Sequence, residues 1–129
     1  MQHYQSPATG NEISAVFHGV PDDVLNNIDF IDKTLMDGLA LDNFTILATA
    51  PHRFNPLGYT TLVLLAESHA AIHTYPEHNA IYFSLYSCRG EEDGNGAFEH
   101  FRSLVTHDHV DIINNKIIVN KKLASTAVK

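Results

Sequence analysis

The chain has a single cysteine among its 129 residues, which excludes an internal disulfide and a cysteine-rich zinc centre. Cys88 is therefore either a small buried hydrophobe or a reactive thiol. Basic residues are also few: 8 Lys plus Arg stand against 15 Asp plus Glu, a formal net charge of −7. They are scattered apart from the pair Lys121-Lys122. A phosphate-binding surface needs them clustered, so nucleic acid is not an expected partner. No apolar run approaches the roughly 20 residues that span a bilayer. The start, Met1-Gln2-His3-Tyr4-Gln5, lacks the charged and apolar regions of a secretory signal. The expectation is a cytoplasmic protein with no membrane partner.

What is present is enough chain to bury a core without metal or disulfide staples, so 1–129 is read as one domain. After a polar, loose start of nine residues, residues 13–18 read as a strand. From Asp22 to about Leu41, Val24, Ile28, Ile31, Leu35 and Leu39 recur at helical spacing, and Pro21 with Asp22 and Asp23 suits a helix start. Strands are expected over 44–49, 59–66, 70–75 and 80–88, with a loop over 51–58 and a hairpin turn at Pro76-Glu77-His78-Asn79. A polar loop over 90–96 leads to a second amphipathic helix over 97–105. Two short strands, 110–113 and 116–119, flank Asn114-Asn115. This pattern predicts an α+β two-layer sandwich, a mostly antiparallel sheet with helices packed on one face.

Residues 64–77 stand out because a strand pattern there carries Glu67, Ser68, His69 and His73 among apolar neighbours. Burying such groups is costly unless each finds a partner, so the segment is either a solvated strand end or a placed set of reactive groups. With Pro76 to Asn79 as a four-residue turn, cross-strand positions sum to 155, which sets Ser68 opposite Ser87 and Glu67 opposite Cys88. A slip of one residue would bring Cys88 opposite Ser68, so the inference is proximity and not orientation. Strict alternation puts His73 and Ser68 on opposite faces. Their convergence within one strand would need a bend or a bulge.

Nine histidines invite a metal reading, which we set aside. His107 and His109 could share one side of a strand, but no third ligand completes a site, and His69 with His73 would need a helix. Glu91-Glu92-Asp93 reads as a solvated loop. Taken singly, Ser68 could serve a turn, Cys88 a core, Phe54 a packing role, and Glu77 a solvated corner.

As a set they resemble the small prokaryotic S-adenosylmethionine decarboxylases. The resemblance rests on Pro51-His52-Arg53-Phe54, Leu64 to His69 with its Glu-Ser-His, Ile72-His73-Thr74-Tyr75-Pro76-Glu77, Cys88, and Ala97-Phe98-Glu99-His100, over most of 11–113. It implies a proenzyme that breaks between Glu67 and Ser68 into chains 1–67 and 68–129. The Ser68 hydroxyl attacks the Glu67 carbonyl, the ester eliminates, and the dehydroalanine hydrolyses to a pyruvoyl cofactor, with no metal. Thr60 and His73 would assist this processing. The pyruvoyl carbonyl would condense with the substrate amine and accept the electrons released with carbon dioxide. Cys88 would return the proton.

Phe54 would stack on the adenine and Glu77 would accept from the ribose hydroxyls. The product would be the aminopropyl donor of polyamine (spermidine) synthesis, and the assembly a homodimer with active sites near its interface. The chain departs from the family pattern at Glu12, Tyr75 and Arg89, and it has Thr60 where serine is usual. The alternatives are a pyruvoyl-dependent arginine or ornithine decarboxylase, or a regulatory paralogue that does not process.

Overall fold

A computed structural model describes residues 6–123. The elements are β1 (Thr9–His18), α1 (Asp22–Leu25), α2 (Ile28–Leu41), β2 (Ile46–Arg53), β3 (Tyr59–Leu65), β4 (Ser68–Tyr75), β5 (Ala80–Ser87), α3 (Asn95–Leu104) and β6 (His109–Ile118). The strands form one sheet in the order β2-β3-β4-β5-β1-β6, every neighbouring pair antiparallel. The expected α+β two-layer architecture is what the chain forms.

Alternation decides the layers. On β1, Ile13, Ala15 and Phe17 are buried; on β5, Ile81, Phe83 and Leu85 are. These residues meet Ile31, Leu35 and Leu39 of α2 and Phe98 and Phe101 of α3 in one core. Phe17 and Phe83 each pack against both Phe98 and Phe101, with ring centroids 5.3 to 5.9 Å apart. Gly38 lets α2 and α3 approach closely, since a Cβ there would sit 3.1 Å from the Ala97 carbonyl oxygen. Among the described residues no helix covers the other face of the sheet, where Leu62, Leu64 and Ile113 are exposed.

Four local expectations are corrected. The helix expected over 22–41 is two segments, because Asn27 caps a new start with its side chain accepting from the Phe30 N–H at 3.2 Å. The second strand runs over Ile46–Arg53 rather than 44–49, and the loop shrinks to 54–58. Pro51 is accepted inside β2 because β2 is an edge strand. The two short final strands are one, with Asn114 and Asn115 paired against Ile13 and Glu12. Lastly, α3 begins two residues early, after Gly94 at φ +91°. The loose start expected over residues 1–9 lies outside the described residues as far as Gln5, and β1 already begins at Thr9.

The hairpin register agrees with the sequence reading. Pairs run from His69 with Tyr86 to Tyr75 with Ala80, and the turn between them is a 3-10 turn over Pro76–His78 closed by Asn79 at φ +48°.

Candidate active site

The β3-β4 connection is a two-residue turn, since Leu65 pairs directly with Ser68. Its second residue, Glu67, takes φ +63°. A left-handed conformation at a residue with a Cβ costs about 1–2 kcal/mol, and here it falls on the residue that precedes Ser68. The turn is held from outside by the Ala66 N–H, which donates to the Thr45 carbonyl at 2.9 Å.

Ser68 is buried, and its Oγ accepts the backbone N–H of Cys88 at 3.2 Å. The Cys88 Sγ lies 3.9 Å from that Oγ and 3.5 Å from Glu67 Oε2. Ser6 Oγ donates to the same carboxylate oxygen at 3.5 Å. The thiol thus stands between a hydroxyl and a carboxylate, the proximity that hairpin register predicted.

A lattice of contacts beneath Cys88, absent from the sequence reading, fixes its backbone. Arg89 Nε donates to Asp93 at 2.7 Å, and its other nitrogens donate to the Asn43 and Asp42 carbonyls at 3.0 and 2.9 Å. Its guanidinium sits 3.6 Å from the centroid of the Phe44 ring. Asp93 also accepts from the Ser87 hydroxyl, and Asn11 donates to the Asp93 carbonyl at 2.7 Å. Residues Asn43, Phe44, Thr45, Ala66, Glu67 and Arg89 line an open cavity of about 170 Å³ beside the turn. The only signal for this lattice in the sequence was Arg89 itself, an unexpected residue next to the thiol.

Thr60 and His73 form a second group. They are directly paired across β3 and β4, with Thr60 Oγ1 and His73 Nδ1 3.0 Å apart. Both are on the face away from the helices, and β4 keeps an unbroken register with β3 and β5 over its length. Neither bend nor bulge brings His73 round to Ser68. Five residues of strand separate them by about 17 Å.

Phe54 and Glu77 lie toward the His73 end of the sheet. Phe54 follows β2, with its N–H donating to the Gly58 carbonyl at 2.9 Å. Its ring is exposed and meets His52 edge-on at 4.6 Å. Glu77 is exposed in the turn after β4 and lines a shallow cavity of about 400 Å³ with Asp22, Asn26, Pro56, Leu57 and Pro76. One chain therefore carries Glu67, Ser68 and Cys88 at one end of the sheet, and Thr60, His73, Phe54 and Glu77 at the other.

A sequence profile described as S-adenosylmethionine decarboxylase matches residues 11–116. The S-adenosylmethionine decarboxylase proenzyme of Thermotoga petrophila is 29% identical over 107 residues, covering 83% of this chain and 82% of that one. That of Brevibacillus brevis is 33% identical over 96 residues, covering 74% of this chain and 72% of that one. The crystal structure of the adenosylmethionine decarboxylase from Aquifex aeolicus superposes with a TM-score of 0.80 at 25% identity, over 91% of this chain and 97% of that one. With sequence and fold in agreement along the same span, the chain belongs to the S-adenosylmethionine decarboxylase family.

Proposed function

We propose that the protein is a proenzyme that cleaves itself between Glu67 and Ser68 and then decarboxylates S-adenosylmethionine in the cytoplasm. The observation that carries the cleavage is the left-handed Glu67 joined to a buried serine whose Oγ rests on the Cys88 N–H. Strain on the peptide unit is released when Ser68 Oγ attacks the Glu67 carbonyl carbon and the acyl group moves from nitrogen to oxygen. Removal of the Ser68 Cα proton then expels the Glu67 α-carboxylate from Cβ, and hydrolysis of the resulting dehydroalanine, with release of ammonia, leaves the new amino end as a pyruvoyl group. Ser68 fits this chemistry because its hydroxyl accepts the acyl group and its Cβ can then expel it.

A pyruvoyl group at this position supplies the electron sink that decarboxylation requires. The protein's own part is positional. Cys88, 3.9 Å from Ser68 Oγ, is placed to return a proton to the substrate carbon. Phe54 offers an exposed ring to the adenine, and Glu77 offers a carboxylate to the ribose hydroxyls.

The separation of the two groups supports a homodimer. A two-fold axis lying across the strands sets the Ser68 end of one sheet over the His73 end of its partner. The bare sheet face, with exposed Leu62, Leu64 and Ile113, offers apolar surface for that pairing. In this arrangement Thr60, His73, Phe54 and Glu77 of one copy lie over the β3-β4 turn of the other, with the Thr60 hydroxyl and His73 imidazole moving protons at the Glu67-Ser68 peptide during processing.

Intact mass after incubation tests the cleavage: two chains, 1–67 and 68–129, the second trapped by a hydride reductant and an amine, are expected. A single chain of 129 residues would instead mark a regulatory paralogue. Carbon dioxide release from S-adenosylmethionine, arginine and ornithine, assayed side by side, decides the substrate. Release from arginine or ornithine alone would overturn the adenosyl reading.

A further inference from the structure

At the far margin of the open sheet face, strand pairing assembles a group of side chains that the decarboxylase reading does not use. His18, the last residue of β1, pairs directly with His109, the first residue of β6. Asp111 lies two residues further along β6, so alternation returns it to the same face as His109. His18 Nε2 and Asp111 Oδ2 are 2.9 Å apart, and the two imidazole rings stack with centroids 4.4 Å apart. One ligand atom from each of the three residues lies within 4.8 Å of the others.

From this geometry we infer that His18, His109 and Asp111 bind a divalent zinc-like cation, with water in the fourth position. Two imidazoles and a carboxylate are a donor set that Zn²⁺ takes in three-ligand sites. Ligands held at about 2.0–2.2 Å from zinc stand roughly 3.3 Å apart on a tetrahedron. The His18 to Asp111 separation is already close to that edge, and the His109 donor, within 4.8 Å of the other two, must turn out of its stack on His18 to complete the set. Metal binding releases any proton shared between His18 and Asp111, and the cation takes its place between the two donors.

The backbone beneath is fixed before any ion arrives. The Asp108 N–H donates to the His18 carbonyl at 2.7 Å, and β6 keeps its register with β1 from His109 to Ile118. All three side chains remain accessible. The bound ion would clip an edge strand to its neighbour, three strands away from β4. Sequence spacing shows His109 and Asp111 as a pair, but His18 joins them only through the β1-β6 pairing.

The test uses untagged, chelator-treated full chain titrated with Zn²⁺ by calorimetry and with Co²⁺ by its d–d absorption. One equivalent per chain with the intense bands of four-coordinate cobalt is expected. His109→Ala and Asp111→Asn should each weaken binding by more than about 10-fold, a loss that second-shell changes alone can bring. His78→Ala, at an exposed turn histidine, should leave it unchanged. Circular dichroism confirms that the variants fold; Asp111→Asn replaces one exposed carboxylate oxygen by an amide nitrogen and keeps the test open if His109→Ala does not fold. Failure of the wild type to take up either ion, or equal binding by the variants, would overturn the site. Neither result bears on cleavage at Ser68.

Discussion

The backbone N–H of Cys88 donates to Ser68 Oγ at 3.2 Å, while the Cys88 thiol lies 3.9 Å from the same oxygen. The backbone donor and the thiol of one residue thus address one hydroxyl, and substitution separates them. Cys88→Ala keeps the donor and removes the thiol. It should cleave at a rate near wild type and lose about 10²–10⁴-fold in turnover, the scale of a positioned proton donor. Intact mass against time and carbon dioxide release give the two halves of this result, and wild-type turnover would remove Cys88 from the mechanism.

Ser68→Ala should remain a single chain with no activity. Mixed with His73→Ala it becomes informative, because the two candidate groups sit about 17 Å apart along β4 in one chain. Co-expressed with distinguishable tags, the His73→Ala chain should be cut in mixed dimers, since its own Ser68 is intact and the partner brings His73. The Ser68→Ala chain should stay whole. If the His73→Ala chain is cut no more than when expressed alone, the two-copy site is wrong.

Arg89 should matter through Cys88 and not through substrate. Its hydrogen bonds to Asp93 and two carbonyls, with its stacking on Phe44, hold the segment that follows the thiol. Arg89→Ala leaves the partly buried Asp93 without its cation, and we expect a loss of about 2 kcal/mol or more in chemical denaturation. Cleavage should slow as the Ser68-Cys88 contact loosens. Arg89→Lys should restore little, because an ammonium cannot reach three acceptors in a plane.

Tyr59 predicts an alkaline limb. Burial first, and then the hydrogen bond from its hydroxyl to Asp32, raise its pKa above the ordinary 10.0; that bond is 2.8 Å long. The folded protein therefore holds this proton more tightly than the unfolded chain does. Its contribution is complete below the unfolded value and is lost as pH rises through the higher folded one. Melting temperature should fall above about pH 10 in the wild type, and Tyr59→Phe should flatten that limb.

By itself the sequence determined what depends on neighbours along the chain. Alternation gave the strands their faces, the turn composition of Pro76 to Asn79 set the β4-β5 register, and that register placed Cys88 near Glu67 and Ser68. The motif residues sufficed to identify the family. Local patterns were less able to fix boundaries: Asn27 restarts a helix that apolar spacing carries through. Pro51 reads as a breaker unless its strand is known to lie at an edge, and Asn114-Asn115 reads as a turn unless β1 is there to pair with it.

Only the tertiary structure decided which groups meet. It put strain on Glu67, tied Arg89 beneath the thiol, and kept Thr60 and His73 away from Ser68 on the face opposite the helices. It also closed His18 onto His109 and Asp111, residues from opposite ends of the chain. The reason is common to all four. A strand's own pattern sets which way each side chain points, but sheet order sets what stands opposite, and that order is settled by packing over the whole domain.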